Sequence, residues 1–381
     1  MYKLPHLPLE VWLIVALHFT GWDALKAMSK ASREFYRAAH GIASLNRSMR
    51  CSVPESASPD DLAAIEASIV AWDVRSIQCL RDTQGPRCIQ CLRDPRGPRG
   101  PRCIQCLRDP RGPRALRADL VTLLISKLPG QIQSLEISNC HEIEDVSAFG
   151  GVELLELYDC KKVADVSALG GVRELNLRCC HEVEDVSALG NVHTLNLTGC
   201  VKVADVSALG GVTNLNLSGC RFLADVSALG KVHTLNLAGC VKVTNVSALG
   251  NVHNLDLSDC VDVVDVSALG SVHTLNLTCC CRVVDVSALG GVHDLNLLLC
   301  GSVTDVSALG RVHTLNLCFC NELVDVSALG GVHDLDLSCC YSVVDVSALG
   351  GVHTLCLRGC SGVVDVSALG GVHSLDLSGC H

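Results

Sequence analysis

Cysteine recurs at positions 140, 160, 180, 200 and onward to 380, thirteen times at one unvarying interval. A period of that length marks a chain built by stacking copies of one small unit. It confines the fold to arrays in which each copy touches only its neighbours. The unit between cysteines is nearly constant: one copy runs Val192-His193-Thr194-Leu195-Asn196-Leu197-Thr198-Gly199-Cys200, then Val203, then Asp205-Val206-Ser207-Ala208-Leu209-Gly210. Leu195 and Leu197 alternate with Thr194, Asn196 and Thr198, which predicts a short strand with leucines inward and polar side chains outward. One such strand cannot bury its apolar face alone. Thirteen in parallel share a core and, at about 4.8 Å per strand, an arc of roughly 60 Å. The return segment is too short for a full α-helix. Asp205 is placed to cap a single turn over Ser207 and Ala208, and Gly210 to let the chain reverse, so short 3₁₀-like or irregular turns are expected opposite the strands.

The spacing LxxLxLxxC, with Val in the first Leu position and Cys where Asn or Cys is usual, resembles the leucine-rich repeat. The resemblance implies an α/β solenoid of about thirteen 20-residue repeats over residues 131–381, with a parallel concave sheet. The array stops in mid-repeat at Cys380-His381, so an open apolar edge, with end-to-end association or fraying, is expected there.

Composition narrows what such an array can do. At 49% hydrophobic residues the chain cannot be disordered over most of its length, and at 3% aromatic it has little with which to shape a substrate pocket. No Gly-rich phosphate loop and no nucleophile–base pairing is found, so neither catalysis nor a cofactor is expected. The net charge of −10 divides unevenly: residues 1–130 hold 19 Lys and Arg against 12 Asp and Glu, and the remainder 11 against 28. An acidic array does not suit a phosphate backbone, which argues against nucleic acid as the main partner. The apolar run Val11 to Phe19 is too short to span a bilayer, and no signal-peptide pattern is seen. The 25 cysteines are then expected to be thiols in a reducing compartment, the cytoplasm or nucleus.

Three ladders follow from the repeat. The cysteines read as buried structural thiols, with Cys279-Cys280-Cys281 and Cys339-Cys340 the best places for regulated disulfides or a metal. A second column is His193, His233, His253, His273, His293, His313, His333, His353 and His373. Imidazoles about 5 Å apart could hold a soft metal or sense acid, but a copied, solvated position is the expectation. The third column is the candidate substrate-binding face: Asn196, Asn216, Asn236, Asp256, Asn276, Asn296, Asn316, Asp336 and Asp376, with Tyr158, Arg178 and Arg358 as its larger side chains. A basic or polar extended protein segment would suit it.

Residues 1–50 differ. Pro8 and Glu10 open a helix with Val11, Ile14, Val15 and Phe19 on one face, and Asp23 caps a second through Leu25 and Met28. Leu7-Pro8-Leu9-Glu10, Asp23-Ala24-Leu25 and Ser32-Arg33-Glu34-Phe35 together resemble an F-box, over about a tenth of the chain. Trp12, His18 and Trp22 are not typical of it. An F-box followed by leucine-rich repeats of the CxxVxD type (here Cys200-Val201-Lys202-Val203-Ala204-Asp205) is similar to the substrate receptors of Skp–cullin–F-box ubiquitin ligases. The resemblance implies that Leu7, Pro8, Val11, Ile14, Leu17 and Leu25 bind a Skp-type adaptor of a cullin complex while the repeats hold a protein substrate. The alternative is a leucine-rich-repeat binding scaffold with no ubiquitin-ligase link, its N-terminal helices serving only as a cap.

Between the two parts, residues 51–75 read as helix or linker. Residues 76–114 hold three copies of Ile-Gln-Cys-Leu-Arg-Asp separated by Pro-Arg-Gly runs, expected as a basic flexible linker. Cys88, Cys91, Cys103 and Cys106 have zinc-like spacing, though duplication alone produces it. Residues 115–130 have leucines at helical spacing and are expected to cap the array.

Overall fold

The computed structural model describes residues 48–50, 76–80, 133–138, 140–141 and 143–380, which belong to two compact units, Met1–Lys162 and Val163–His381. The F-box-like helices, the 115–130 cap and the four spaced cysteines lie outside the described residues.

In the first unit, strands β1 (Ser48–Arg50), β2 (Ser76–Leu80), β3 (Ser134–Ser138) and β4 (Leu154–Tyr158) run parallel in that order. Their register is direct, with Ser48 opposite Ser76, Ser76 opposite Ser134, and Leu135 opposite Leu155. β2 falls at the start of the segment expected as linker. Its sequence Ser-Ile-Gln-Cys-Leu alternates as Ser-Leu-Glu-Ile-Ser of β3 does, which is the pattern a paired strand needs. Between β3 and β4 a 3₁₀ turn, Ser147–Gly151, brings the chain back with Phe149 buried.

The second unit repeats this coil eleven times, from β5 (Glu174–Asn176) through β6 (Thr194–Asn196) and so on to β15 (Ser374–Asp376). Each strand pairs in parallel with the next, Leu195 opposite Leu215 and Leu215 opposite Leu235. Pairing continues past the strand: the Leu197 and Gly199 amides donate to the Asn216 and Ser218 carbonyls, both at 2.7 Å. In one coil Val192, Leu195, Leu197, Cys200, Val203, Val206 and Leu209 are all at most 2% exposed. At about 1.5–3 kcal/mol per fully buried Leu or Val, this stack of inward side chains is what holds the coils together. The architecture is a leucine-rich-repeat solenoid. Its turns are 3₁₀ segments such as Ser207–Gly211, as so short a return between two fixed ends allows no more. Among the described residues no helix is long and apolar enough to cross a membrane.

Two backbone positions make the coil possible. Asp205 Oδ1 accepts the Ser207 amide at 2.9 Å and starts the turn as expected. Gly210 has a different role from the expected one. The left-handed backbone lies at the residue before each ladder cysteine from Cys160 on, where Gly199 has φ +72°. Gly210 is required for close approach: a Cβ there would stand 2.5 Å from the Ala228 carbonyl oxygen of the next turn.

Candidate functional site

The outward strand face carries the expected Asn and Asp column, half-buried, but these side chains are not idle. One carboxamide or carboxylate oxygen of Asn196, Asn216, Asn236, Asp256, Asn276, Asn296, Asn316, Asp336 and Asp376 accepts the backbone amide two residues on, at 2.8–3.0 Å. The column therefore holds the turn that leaves each strand, as Asx side chains do. Some of the remaining polar capacity is also used within the protein: Asn236 Nδ2 donates to Asp256 Oδ2 at 3.3 Å. Thr198 and Thr278 add their hydroxyls to Asn196 and Asn276 at 2.6 and 2.7 Å. At position 356 a cysteine replaces the Asx residue, its Sγ 3.0 Å from Ser338 Oγ. A ligand on this face meets a partly satisfied lattice.

The three larger candidates divide between the two units. Tyr158 ends β4 in the first unit. In the second unit Arg178 and Arg358 occupy the same register nine coils apart, and both are exposed. The Arg358 guanidinium is a lesser cause of the low pKa of Asp376, after the hydroxyl and amide of Ser378.

Cysteines 160 to 360 of the ladder are buried. Each ladder thiol from Cys200 onward donates to the backbone carbonyl of a leucine in the preceding coil, as Cys200 does to Leu177 at 3.1 Å and Cys260 to Leu237 at 3.2 Å. Burial pushes the pKa of Cys220, Cys240 and Cys260 up to about 12. Thiolate chemistry, whether metal ligation or disulfide exchange, needs the opposite environment. These are structural thiols.

Beside the strands, the histidines from 233 to 373 form one continuous exposed column with ring centroids 4.5–4.8 Å apart. Thr213 interrupts it, which sets His193 apart. Two of the coils place a carboxylate next to the rings, at Asp294 and Asp334.

The sequence pattern did not reveal a fourth column, the left-handed residue before each ladder cysteine. Glycine fills it at 199, 219, 239, 359 and 379, whereas Asp159, Cys179, Asp259, Cys279, Leu299, Phe319 and Cys339 stand there at φ between 52° and 61°, the last five in succession. Leu299 is 43% exposed, Phe319 38% and the nearby Tyr341 50%. Five non-glycine residues in succession, two of them large and apolar, were the available signal.

No family model matches the chain, and no curated protein matches its sequence. Solved structures similar to it include an internalin F of Listeria monocytogenes, with a TM-score of 0.46 and 18% identity over 65% of this chain and 81% of that one. Another is the functional domain of InlJ from Listeria monocytogenes, described as including a cysteine ladder, with a TM-score of 0.40 and 21% identity. That match covers 57% of this chain and about half, 52%, of the InlJ domain. An internalin C2 of the same organism matches with a TM-score of 0.26 and 20% identity over 50% of this chain and 72% of its own.

Proposed function

We propose that this chain is a protein-binding leucine-rich-repeat scaffold, anchored by the apolar column Leu299 and Phe319 with Tyr341 beside it. One observation carries the proposal. At a position where glycine is the unstrained choice, this stretch keeps large apolar side chains in the left-handed region and leaves them exposed. Such strain costs about 1–2 kcal/mol per residue and persists where it serves a function. Aromatic anchors bordered by polar groups are what an interface centre needs. The neighbouring Asn296, Asn316, Asp336 and Asp334 would favour an extended partner segment with an apolar anchor and basic flanks.

The test compares the full chain with a Leu299→Gly/Phe319→Gly variant, first in affinity capture and then in titration with the purified captured protein. A loss of about 100-fold or more, equivalent to about 2.7 kcal/mol, with melting temperature kept or raised, supports the proposal. Equal affinity, or no partner retained by the unmodified chain, overturns it.

The narrower role, substrate receptor of a cullin-type ubiquitin ligase, rests on Leu7, Pro8, Val11, Ile14, Leu17 and Leu25, outside the described residues. Its separate test is adaptor binding by the full chain beside Leu7→Ala/Pro8→Ala. Binding that this variant abolishes would add the ligase link. No binding would leave the scaffold alone.

A further inference from the structure

We propose that His273, His293 and Asp294, and in the same arrangement His313, His333 and Asp334, form two sites for a divalent transition metal of the zinc class. The donor set comes first. Two imidazoles and one carboxylate are a known three-ligand set that leaves the fourth position of a tetrahedron open, and imidazole suits zinc, copper and nickel. In each group the three ligand atoms lie within 4.8 Å of one another.

Geometry carries the inference further. Metal–donor bonds of about 2.0–2.1 Å in a tetrahedron require donors about 3.3 Å apart. His293 Nδ1 lies 3.1 Å from Asp294 Oδ1, and His333 Nδ1 lies 3.2 Å from Asp334 Oδ2. One edge of each tetrahedron is therefore already at coordination length. The second imidazole of each pair, His273 or His313, is held 4.7 or 4.6 Å away, centroid to centroid. These are exposed side chains, so ring rotation alone can close the rest.

The backbone beneath is fixed. The His293 and Asp294 amides both donate to the His273 carbonyl at 3.0 Å, and the His333 and Asp334 amides to the His313 carbonyl at 3.1 and 2.9 Å. Rigid elements of this kind are the right support for ligands. A further carboxylate contact comes from Thr274 Oγ1, which donates to Asp294 Oδ2 at 3.4 Å. Asp294 and Asp334 distinguish these coils from the others of the column, where Thr, Asn or Ser follows the histidine. The two sites share no ligand.

The test uses the untagged full chain with its accessible thiols alkylated, so that cysteine cannot supply the binding. Zinc titration by calorimetry should find two equivalents with micromolar Kd, and bound cobalt should show no thiolate charge-transfer band. Asp294→Asn/Asp334→Asn should weaken binding at least tenfold, and His273→Ala/His313→Ala more. His193→Ala, isolated from the column, should change nothing. Absence of binding tighter than millimolar overturns the proposal. So does binding that survives both double variants, or that His193→Ala reduces equally.

Discussion

At φ between 52° and 78°, the residue before each ladder cysteine from Cys160 to Cys380 sits where only glycine is free of steric cost. Leu299→Gly should therefore raise the stability of the chain by about 1 kcal/mol, since left-handed backbone costs a side chain about 1–2 kcal/mol and Leu299 is 43% exposed. A higher urea midpoint at unchanged slope checks this. A lower midpoint would mean that the exposed leucine packs better than it is strained. The cysteines one residue on behave in the opposite sense. With pKa values pushed up to about 12 by burial, Cys240 and Cys260 should stay unmodified when the native chain meets iodoacetamide at about pH 8. Exposed Cys281 should react under the same conditions, and peptide mass spectrometry reads both. The burial of the cysteines was legible from their regular spacing beside an alternating strand. The left-handed column was not, because Gly, Asp, Cys, Leu and Phe share a backbone angle without sharing a side-chain chemistry.

The turn that closes each coil combines a carboxylate, two small residues and a glycine, and its parts differ in how they can fail. Asp265 and Asp285 are held below the usual carboxylate range by the hydroxyls and amides of Ser267 and Ser287. A depressed folded-state pKa gives stability that is fully present above the unfolded value and lost as pH falls through the folded one. The urea midpoint should accordingly drop as pH falls below the ordinary aspartate value of about 4 and these caps are protonated. Asn245 already caps Ser247 at 3.0 Å without a charge, so Asp265→Asn/Asp285→Asn should make that drop shallower. An unchanged acid slope would remove the caps as its cause. Gly290 fails by contact. A Cβ there would stand 2.4 Å from the Ala308 carbonyl oxygen, while a Cβ at Gly301 meets nothing within 4 Å. Gly290→Ala should cost about 1–3 kcal/mol, as overpacking does, and Gly301→Ala less than about 0.5 kcal/mol. The Asp cap could be read from the sequence because its bond is local. The partner of Gly290 is a carbonyl in the next coil, and no local rule points to it.

Across the unit Val163–His381 every coil rests on the coils beside it, so stability should be a sum of coil terms and nearest-neighbour terms. The repeat period made this much legible. It could not reveal β1 and β2, because neither the step from Ser48 to Ser76 nor the step from Ser76 to Ser134 keeps that period. Parallel register is set by backbone pairing between neighbours, and loop closure grows only slowly with loop length, so unequal spacing hides a strand from any periodic search. The one-dimensional picture has a direct consequence for a single core deletion. Leu275 is 1% exposed, opposite Leu255 on one side and Leu295 on the other. Leu275→Ala should remove about 2–5 kcal/mol of local stability. Native-state hydrogen exchange should then accelerate most at the Leu277, Leu257 and Cys279 amides, which bond across this part of the sheet. Amides several coils away, such as Leu197 and Gly199, should change several-fold less. Uniform acceleration through all eleven coils would show instead that the unit opens as one body, and the nearest-neighbour description of this array would fall.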